Sequence, residues 1–262
     1  MVQPHRPRKR FGQHFLRDAQ VIERLVRAIA PQAGDRLLEI GPGEGVLTRP
    51  LLSAGARVLA VELDRDLAAS LPQRLGQPAG LEVMQGDILQ VDLSELAGGD
   101  RLRIVGNLPY NISTPILFHL FEHLCGTIDM HFMLQKEVVD RLVAEPGSRD
   151  YGRLSVMAGF FCEMDWLFDV PPDAFRPPPK VMSAIVRLQP KTLDASDRTL
   201  LPTLQDVVRL AFGQRRKTLR NSLRPVLDEA AIRTAGIDPG LRAERLGLDE
   251  FRALADRARP QA

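Results

Sequence analysis

One nine-residue stretch decides the fold of this chain: Leu37-Leu38-Glu39-Ile40-Gly41-Pro42-Gly43-Glu44-Gly45. Its mostly apolar first half predicts a buried β-strand, and the glycine-rich half predicts a tight loop at the carboxyl end of that strand. Glycine has no Cβ atom, so such a loop lets the backbone approach a ligand closely. The stretch is therefore typical of the first strand and ligand loop of an α/β sheet.

Strands and helices alternate on both sides of this stretch. Three further strands are predicted at Val58-Leu59-Ala60-Val61, Leu81-Glu82-Val83-Met84 and Leu102-Arg103-Ile104-Val105. Near-continuous apolar strands separated by amphipathic helices predict a parallel sheet that is covered on both faces. The predicted fold class is therefore α/β, with a doubly wound and mostly parallel sheet.

The character of the chain changes after Pro190. A strand around Val181 to Leu188 follows a proline-rich segment and could close a hairpin, whereas the apolar residues beyond Pro190 lie at helical spacing. We therefore predict two domains: a ligand-binding catalytic domain over residues 1–190, with a basic N-terminal extension, and a small helical domain over residues 191–262.

Composition excludes several classes of protein. Of the 262 residues, 44% are hydrophobic and 26% are charged, which excludes a disordered chain. No apolar run approaches the roughly 18–20 residues of a membrane span, and no secretion signal is visible. Cys125 and Cys162 are too far apart for a metal or redox pair. We expect a cytoplasmic protein with reduced thiols and no metal.

The basic residues are concentrated near the two ends of the chain. The net charge is only 35 − 33 = +2, yet two clusters stand out: Arg6, Arg8, Lys9, Arg10 and Arg17, and then Arg209, Arg215, Arg216, Lys217, Arg220 and Arg224. Each cluster alone could be a solvated face of the protein. Two clusters in a nearly neutral chain favour a polyanionic partner.

The glycine-rich loop favours S-adenosylmethionine over a dinucleotide. Its spacing is GxGxG rather than GxGxxG, and Glu39 and Glu44 flank it. Carboxylates would repel a pyrophosphate but are compatible with an ammonium and a sulfonium group. Glu62 ends the second strand, where an acid can accept hydrogen bonds from ribose hydroxyls. Asp87, after the third strand, could accept from an adenine amine.

Asn107-Leu108-Pro109-Tyr110 ends the fourth strand and indicates alkylation of an amine. The exocyclic amine of adenine is a poor nucleophile because its lone pair is delocalised into the ring. The side-chain oxygen of Asn107 and the carbonyl of Leu108 could accept both amine hydrogens. Pro109 removes a backbone donor, and Tyr110 offers a ring on which the base can stack.

Two other features favour structural roles. His119 and His123 lie four residues apart, but no further ligand pattern completes a metal site. The only tryptophan, Trp166, is predicted to anchor the core.

The successive motifs of the chain resemble those of the KsgA-type small-subunit rRNA adenine dimethyltransferases. The resemblance spans nearly the whole chain, in order, and is carried by Gly12-Gln13-His14-Phe15-Leu16, Glu39 to Gly45, Gly86-Asp87, Asn107 to Ser113, Phe175 to Ser183 and Phe212 to Leu223. It implies the Rossmann-like fold of class I S-adenosylmethionine-dependent methyltransferases.

The resemblance also implies roles for individual residues. The implied cofactor contacts are His14 and Leu16 at the methionine end, Gly41 at its backbone, Glu62 at the ribose, Asp87 at the adenine, and Asn107. The implied target site combines Asn107, Leu108, Pro109 and Tyr110 with Phe175, which would stack on the target base opposite Tyr110. His14 departs from the family pattern, in which many members have Asn; imidazole can also donate a hydrogen bond, so we expect the role to survive.

The implied reaction dimethylates two adjacent adenosines in a hairpin loop near the 3′ end of small-subunit rRNA. The helical domain would dock on the rRNA of an immature small subunit through Arg215, Arg216, Lys217 and Arg220, and we expect a monomer. Two alternatives remain at this point. One is the resistance class that dimethylates large-subunit rRNA, and the other is an assembly checkpoint that chiefly binds the immature subunit.

Overall fold

The computed structural model describes residues 13–99, 101–124, 126–214 and 216–259. Within this part of the chain the strands are β1 (Phe15–Leu16), β2 (Arg36–Ile40), β3 (Arg57–Glu62), β4 (Leu81–Gln85), β5 (Leu102–Asn107), β6 (Thr127–Gln135), β7 (Cys162–Val170), β8 (Phe175–Arg176) and β9 (Ser183–Pro190). The helices are α1 (Ala19–Ile29), α2 (Thr48–Ser53), α3 (Arg65–Leu75), α4 (Leu93–Ala97), α5 (Ser113–Glu122), α6 (Lys136–Leu142), α7 (Arg153–Phe161), α8 (Ala195–Phe212), α9 (Leu219–Ser222), α10 (Glu229–Thr234) and α11 (Leu248–Ala258).

The central sheet is mostly parallel, as the apolar strands predicted. Among the described residues, seven strands form one sheet in the order β4-β3-β2-β5-β6-β9-β7, and β1 pairs with β8. The pairs β2–β3, β2–β5, β3–β4 and β5–β6 are parallel, whereas β9 runs antiparallel to β6. The α/β class is therefore confirmed, and the strand predicted around Val181 to Leu188 is the antiparallel β9.

The parallel register brings the loops that carry the predicted site residues to one edge of the sheet. Ile40 lies beside Val61 of β3 and beside Gly106 of β5, so β2, β3 and β5 end at the same level. Glu62, the last residue of β3, pairs with Gln85 of β4. The segments that follow these four strands therefore leave the sheet side by side.

Helix α1 shows how the sequence pattern becomes packing. Asp18 caps its first turn, because the side chain accepts hydrogen bonds from the backbone N–H groups of Gln20 and Val21. The helix buries Val21, Leu25 and Ile29, which are spaced along one face and belong to the same core cluster as residues of β2. Fully burying each such side chain contributes about 1.5–3 kcal/mol to folding.

The chain divides into two compact units. The first comprises the described residues up to Val139 together with Asp165–Pro190, and the second comprises Asp140–Met164 and the described residues from Lys191 onward. The division after Pro190 lies where the sequence changes character, but the assignment of all of residues 1–190 to one domain is wrong. Residues 140–164 belong to the second unit because α7 packs against α8 and α11.

The second unit has an apolar core of its own. Leu204, Val207 and Val208 of α8 are fully buried, as are Phe251 and Leu254 of α11. At the polar margin of this helix pair, Arg252 makes an ion pair with Asp197, whose backbone N–H is capped by Asp194. In the described residues, no helix has the length and apolar character needed to cross a membrane.

Candidate active site

A cavity of about 330 Å³ lies at the carboxyl edge of the parallel strands, in the first unit. Its walls include the loop after β2, the ends of β3 and β5, the segment after β4, and residues 13–16. Of the predicted site residues, the cavity wall contains His14, Leu16, Gly41, Glu62, Asp87, Asn107, Leu108, Pro109 and Tyr110. One cavity thus brings together residues that are up to 96 positions apart in sequence.

The loop after β2 requires glycine at defined places. Gly41 has φ +67° and Gly43 has φ +57°, a left-handed backbone region that side chains other than glycine rarely adopt. A Cβ atom at Gly43 would also lie 3.1 Å from the ring of Phe15. The absence of side chains at these positions keeps the floor of the cavity close to the backbone.

Glu62 anchors this loop to the end of β3. Its carboxylate accepts a hydrogen bond from the backbone N–H of Gly43 at 3.1 Å and another from that of Asp64 at 2.9 Å. The side chain is buried at the cavity wall. The two carboxylate oxygens thus order the loop from the cavity wall.

Glu39 places a second carboxyl group at the same wall. It is 2% exposed, and its Oε2 atom has no hydrogen-bond partner among the described residues. Burial raises the pKa of Glu39 to about 7; the Thr48 hydroxyl opposes this effect and the Glu62 carboxylate adds to it. A buried carboxyl group without a full set of partners suits a cationic ligand and would disfavour a pyrophosphate.

Asp87 follows β4 and begins a short 3₁₀ turn, Ile88–Gln90. Its Oδ1 atom accepts a hydrogen bond from the backbone N–H of Leu89 at 3.0 Å. This bond orients the carboxylate, which lines the cavity and can accept from an amine.

Residues 13–18 form a strap across the site. Phe15 and Leu16 of β1 pair antiparallel with Arg176 and Phe175 of β8. Arg17 makes an ion pair with Glu44 of the glycine-rich loop. The strap therefore connects β8 to the loop at the floor of the cavity.

Asn107 holds the strap from the end of β5. Its side-chain Nδ2 atom donates a hydrogen bond to the backbone carbonyl of His14 at 3.0 Å. Because the amide nitrogen is the donor in this bond, the amide oxygen Oδ1 remains the acceptor. The next residue, Leu108, is buried, and its N–H donates to the carbonyl of Met133 at 3.1 Å. These bonds fix the strand end that carries both predicted acceptors of the target amine.

Tyr110 is oriented by contacts on two sides. Its hydroxyl is hydrogen-bonded to the hydroxyl of Ser183 at the start of β9, and its ring stacks with the ring of His14 at a centroid distance of 5.5 Å and an interplanar angle of 26°. His14 Nδ1 lies 2.7 Å from the carbonyl oxygen of Pro177. Burial raises the pKa of Tyr110, so the phenol keeps its proton at neutral pH.

Phe175 does not lie where its expected role requires. It is 1% exposed, belongs to the apolar core cluster with Leu16, and is not part of the cavity wall. The expectation that it stacks on the target base opposite Tyr110 is therefore not met in this structure. The reason is the pairing of β1 with β8, which directs Phe175 into the core and leaves His14 as the ring beside Tyr110.

The second unit carries the predicted RNA-docking residues. Arg216, Lys217 and Arg220 are exposed, and Arg220 lies 3.9 Å from Glu229. Arg215 lies outside the described residues, as do Arg6, Arg8, Lys9 and Arg10 of the N-terminal cluster.

The remaining sequence expectations have mixed outcomes. His119 and His123 lie with ring centroids 4.9 Å apart, and His119 Nε2 contacts the carbonyl of Val91. No group of three His, Cys, Asp or Glu residues able to hold a metal occurs in the part of the chain that the structure describes. Trp166 is 49% exposed, so the expectation that it anchors the core is wrong.

Comparison with known proteins identifies the family of this chain. A sequence model of the family described as "Ribosomal RNA adenine dimethylase" matches residues 4–259. The chain belongs to the ribosomal RNA adenine dimethylase family. The match covers both units, and the family resemblance inferred from the motifs is confirmed.

Relatives of similar length share more than half of their aligned residues with this chain. "Ribosomal RNA small subunit methyltransferase A" of Methylococcus capsulatus is 56% identical over 256 residues, which cover 98% of this chain and 99% of the relative. The protein of the same name from Pseudomonas aeruginosa is 54% identical, with 96% of this chain and 94% of the relative covered.

Two solved structures have the same architecture. A dimethyladenosine transferase from Plasmodium falciparum superposes with a TM-score of 0.75 at 25% identity, covering 92% of this chain and 96% of that one. The 23S rRNA methyltransferase ErmE superposes with a TM-score of 0.71 at 29% identity, covering 93% and 98%.

As a member of the ribosomal RNA adenine dimethylase family, the protein is an S-adenosylmethionine-dependent methyltransferase. The cavity fits this cofactor, because it combines the close backbone of Gly41 and Gly43 with the buried carboxyl groups of Glu39 and Glu62. The sequence argument for S-adenosylmethionine against a dinucleotide is confirmed.

Sequence reasoning assigned no role to Ser183 or Phe15. Ser183 orients Tyr110 from the start of β9, and Phe15 covers Gly43 from the strap. Both residues lie within the quoted motifs, but only the pairing of distant strands shows what they contact.

Proposed function

We propose that this protein transfers methyl groups to the exocyclic N6 amines of two adjacent adenosines in the 3′-terminal hairpin loop of small-subunit rRNA, giving N6,N6-dimethyladenosines. The observation that carries this proposal is the position of Asn107-Leu108-Pro109-Tyr110 in the wall of the same cavity as the glycine-rich loop, Glu62 and Asp87. The end of β5, which we propose binds the target amine, and the loop after β2, which we propose binds the cofactor, therefore line the same cavity.

When bound, S-adenosylmethionine supplies a methyl group on a positively charged sulfur. The chain's own task is to make the adenine amine nucleophilic. The Oδ1 atom of Asn107 and the carbonyl of Leu108 accept the two amine hydrogens, which localises the nitrogen lone pair and favours a tetrahedral nitrogen. Tyr110 positions the base by stacking, and its bond to Ser183 fixes the ring.

The positions of the residues in the cavity wall support the cofactor-binding roles that we propose. Glu62 would accept hydrogen bonds from the ribose, Asp87 from the adenine amine, and the backbone at Gly41 would lie against the methionine portion. His14 and Leu16 would close the methionine end from the strap, in which the His14 carbonyl is held by Asn107. This contact supports a role for the Asn107 side chain on both the cofactor side and the target side.

The small subunit is favoured over the large subunit as the substrate. The relatives at 54–56% identity are named small-subunit methyltransferases, whereas the structure of the 23S rRNA methyltransferase ErmE is 29% identical. The segment Gln214 to Lys217 supports the same choice. We further propose that the protein acts as a monomer on an immature small subunit and docks through Arg215, Arg216, Lys217 and Arg220, whose guanidinium and ammonium groups suit phosphates.

The decisive experiment uses labelled S-adenosylmethionine with small ribosomal subunits that lack the modification, and large subunits as the control. We expect label in the small subunit only, recovered as N6,N6-dimethyladenosine. Label in the large subunit alone would favour the resistance class. Tight binding to small subunits without any label would favour the assembly-checkpoint function.

A further inference from the structure

Trp166 is an exposed aromatic side chain that the reaction described above does not use. It is the only tryptophan of the sequence, lies in β7 at the edge of the sheet, and is 49% exposed. Val181 and Met182, immediately before β9, are also large exposed apolar residues, at 43% and 39%. Lys136 contacts both Met182 and Trp166. Its backbone N–H donates to the Met182 carbonyl at 2.9 Å, and its Nζ atom lies 5.8 Å from the centre of the Trp166 ring.

The orientation of the Trp166 ring is set by hydrogen bonding. The indole Nε1–H donates to Asp169 Oδ1 at 3.0 Å, and Lys136 Nζ donates to the same oxygen at 3.2 Å. An exposed indole held in this way presents a flat apolar face to solvent. Binding through such a ring costs little conformational entropy, because the ring is already oriented.

The charges around Trp166 are compatible with a polyanion. Of the three carboxylates within three residues of Trp166, Asp169 is paired with Lys136 and Asp165 is paired with Arg187 at 2.8 Å, whereas Glu163 is exposed. On the same strand, the guanidinium of Arg24 lies 3.9 Å from the centre of the Phe168 ring. Phe168 is two residues from Trp166, which is about 7 Å along a strand. Lys136, with its Nζ atom 5.8 Å from the centre of the indole ring, is therefore the cation beside Trp166, and Arg24 lies over Phe168 further along β7.

One end of this patch adjoins the proposed target site along the chain. Met182 precedes Ser183, whose hydroxyl is bonded to that of Tyr110 at the cavity. A nucleic acid strand that delivers a base to Tyr110 therefore has the patch of Met182, Lys136 and Trp166 beside its path.

We propose that Trp166 stacks against an unpaired base of the rRNA substrate that flanks the target adenosine, with Lys136 next to the phosphate backbone. Stacking on an exposed aromatic ring, combined with cations along the strand, is the usual way in which proteins hold single-stranded RNA. The inference rests on the proposed function, since it names a further contact for the same RNA.

The test compares three full-length proteins: wild type, Trp166→Phe and Trp166→Leu. Phenylalanine keeps an aromatic face but loses the bond to Asp169, whereas leucine keeps apolar surface without an aromatic face. Affinity for unmethylated small subunits is measured by co-sedimentation, and methyl transfer is measured separately. We expect W166L to bind at least about fivefold more weakly and W166F to stay within about twofold of wild type, because base stacking contributes on this scale.

A second measurement needs no substitution. Hydroxyl-radical oxidation of Trp166, read by mass spectrometry of its peptide, should slow when wild type is bound to the small subunit. Unchanged oxidation on binding would overturn the proposal, and so would equal affinities of W166L and wild type. Equal weakening in W166F and W166L would identify the indole N–H, rather than stacking, as the required feature and would also overturn it.

The two proposals fail in different ways. Wild-type protein that binds small subunits in a Trp166-dependent manner but transfers no methyl groups would contradict the proposed function alone. Methyl transfer with unaltered affinity in W166L would contradict the stacking proposal alone. If wild type neither bound nor methylated the small subunit, both would be wrong.

Discussion

The side-chain amide of Asn107 donates a hydrogen bond to the backbone carbonyl of His14 at 3.0 Å, and these residues are 93 positions apart in sequence. The bond joins the end of β5 to the strap that crosses the cavity. The donor in this bond is the amide nitrogen, so the amide oxygen is the atom that can accept a hydrogen bond from a ligand. One hydrogen bond therefore holds the strap at the cavity and leaves the amide oxygen of Asn107 as the acceptor.

Replacement of Asn107 tests this double role. In Asn107→Ala the amine of the target loses an acceptor and the strap loses its link to β5, so we expect kcat to fall by about 100-fold or more. Affinity for small subunits should stay within about twofold, because the exposed basic residues lie in the second unit. Single-turnover methyl transfer and co-sedimentation measure the two quantities. Parallel loss of both would mean that the strand end is chiefly structural.

Glu62 and Glu82 form a matched pair for the cofactor site. Glu62 is buried and bonded to Gly43 and Asp64, whereas Glu82 is exposed on the adjacent strand β4. Glu62→Ala should weaken S-adenosylmethionine binding by about tenfold or more, since hydrogen bonds to a charged group contribute about 1.5–3 kcal/mol. Glu82→Ala should bind normally in the same calorimetric titration. Equal cofactor affinity of the two variants would remove Glu62 from the ribose site.

The basic residues of the second unit should control the salt dependence of RNA binding. In Arg216→Ala combined with Lys217→Ala, the slope of log affinity against log salt should decrease by about two, roughly one for each lost phosphate contact. Arg198→Ala removes an exposed arginine of α8 from the same unit and serves as the control. A slope that is identical in all three proteins would exclude Arg216 and Lys217 from the RNA interface.

Glu39 should make the protein less stable as the pH rises. Burial raises the pKa of this carboxyl group from its ordinary value of 4.5 to about 7. Between these two values the folded state holds a proton that the unfolded state releases, so the free energy of unfolding decreases as the pH increases. The Glu39→Gln variant lacks this titrating group. Its free energy of unfolding, relative to that of wild type, should therefore increase by up to about 3 kcal/mol from pH 5 to pH 8. Urea unfolding of both proteins at pH 5 and pH 8 measures this increase. If the difference in unfolding free energy between variant and wild type were the same at both pH values, the raised pKa of Glu39 would be contradicted.

His131 should act in the opposite direction. It is buried in β6, and burial lowers its pKa to about 4; Asp129 opposes this effect, and Arg103 and Arg187 add to it. Between pH 6.5 and 4 the unfolded state takes up a proton that the folded state does not, so stability is lost as the pH falls through this range. His131→Leu should lose less stability than wild type on acidification from pH 7 to pH 5, as measured by urea unfolding. An identical loss in both proteins would show that His131 is not the titrating group.

Much of the fold could be predicted because the relevant signals are local. The apolar run before Gly41 and the apolar strand before Asn107 depend on neighbouring residues, and both elements lie where they were expected. The assignment of residues 140–164 could not be predicted in the same way. Their helix α7 packs on α8 and α11, and that contact joins segments far apart in sequence.

The sequence by itself determined the doubly wound sheet, the glycine-rich loop, the carboxylates beyond the strands and the Asn107 to Tyr110 motif, because each follows from side-chain type and spacing over a few residues. Only the tertiary structure decided which side chains meet. The antiparallel pairing of β1 with β8 buries Phe175 and brings His14 to Tyr110, and the edge position of β7 leaves Trp166 in solvent. Such outcomes depend on the register of distant strands, and a register shift of one residue would exchange the buried and exposed faces.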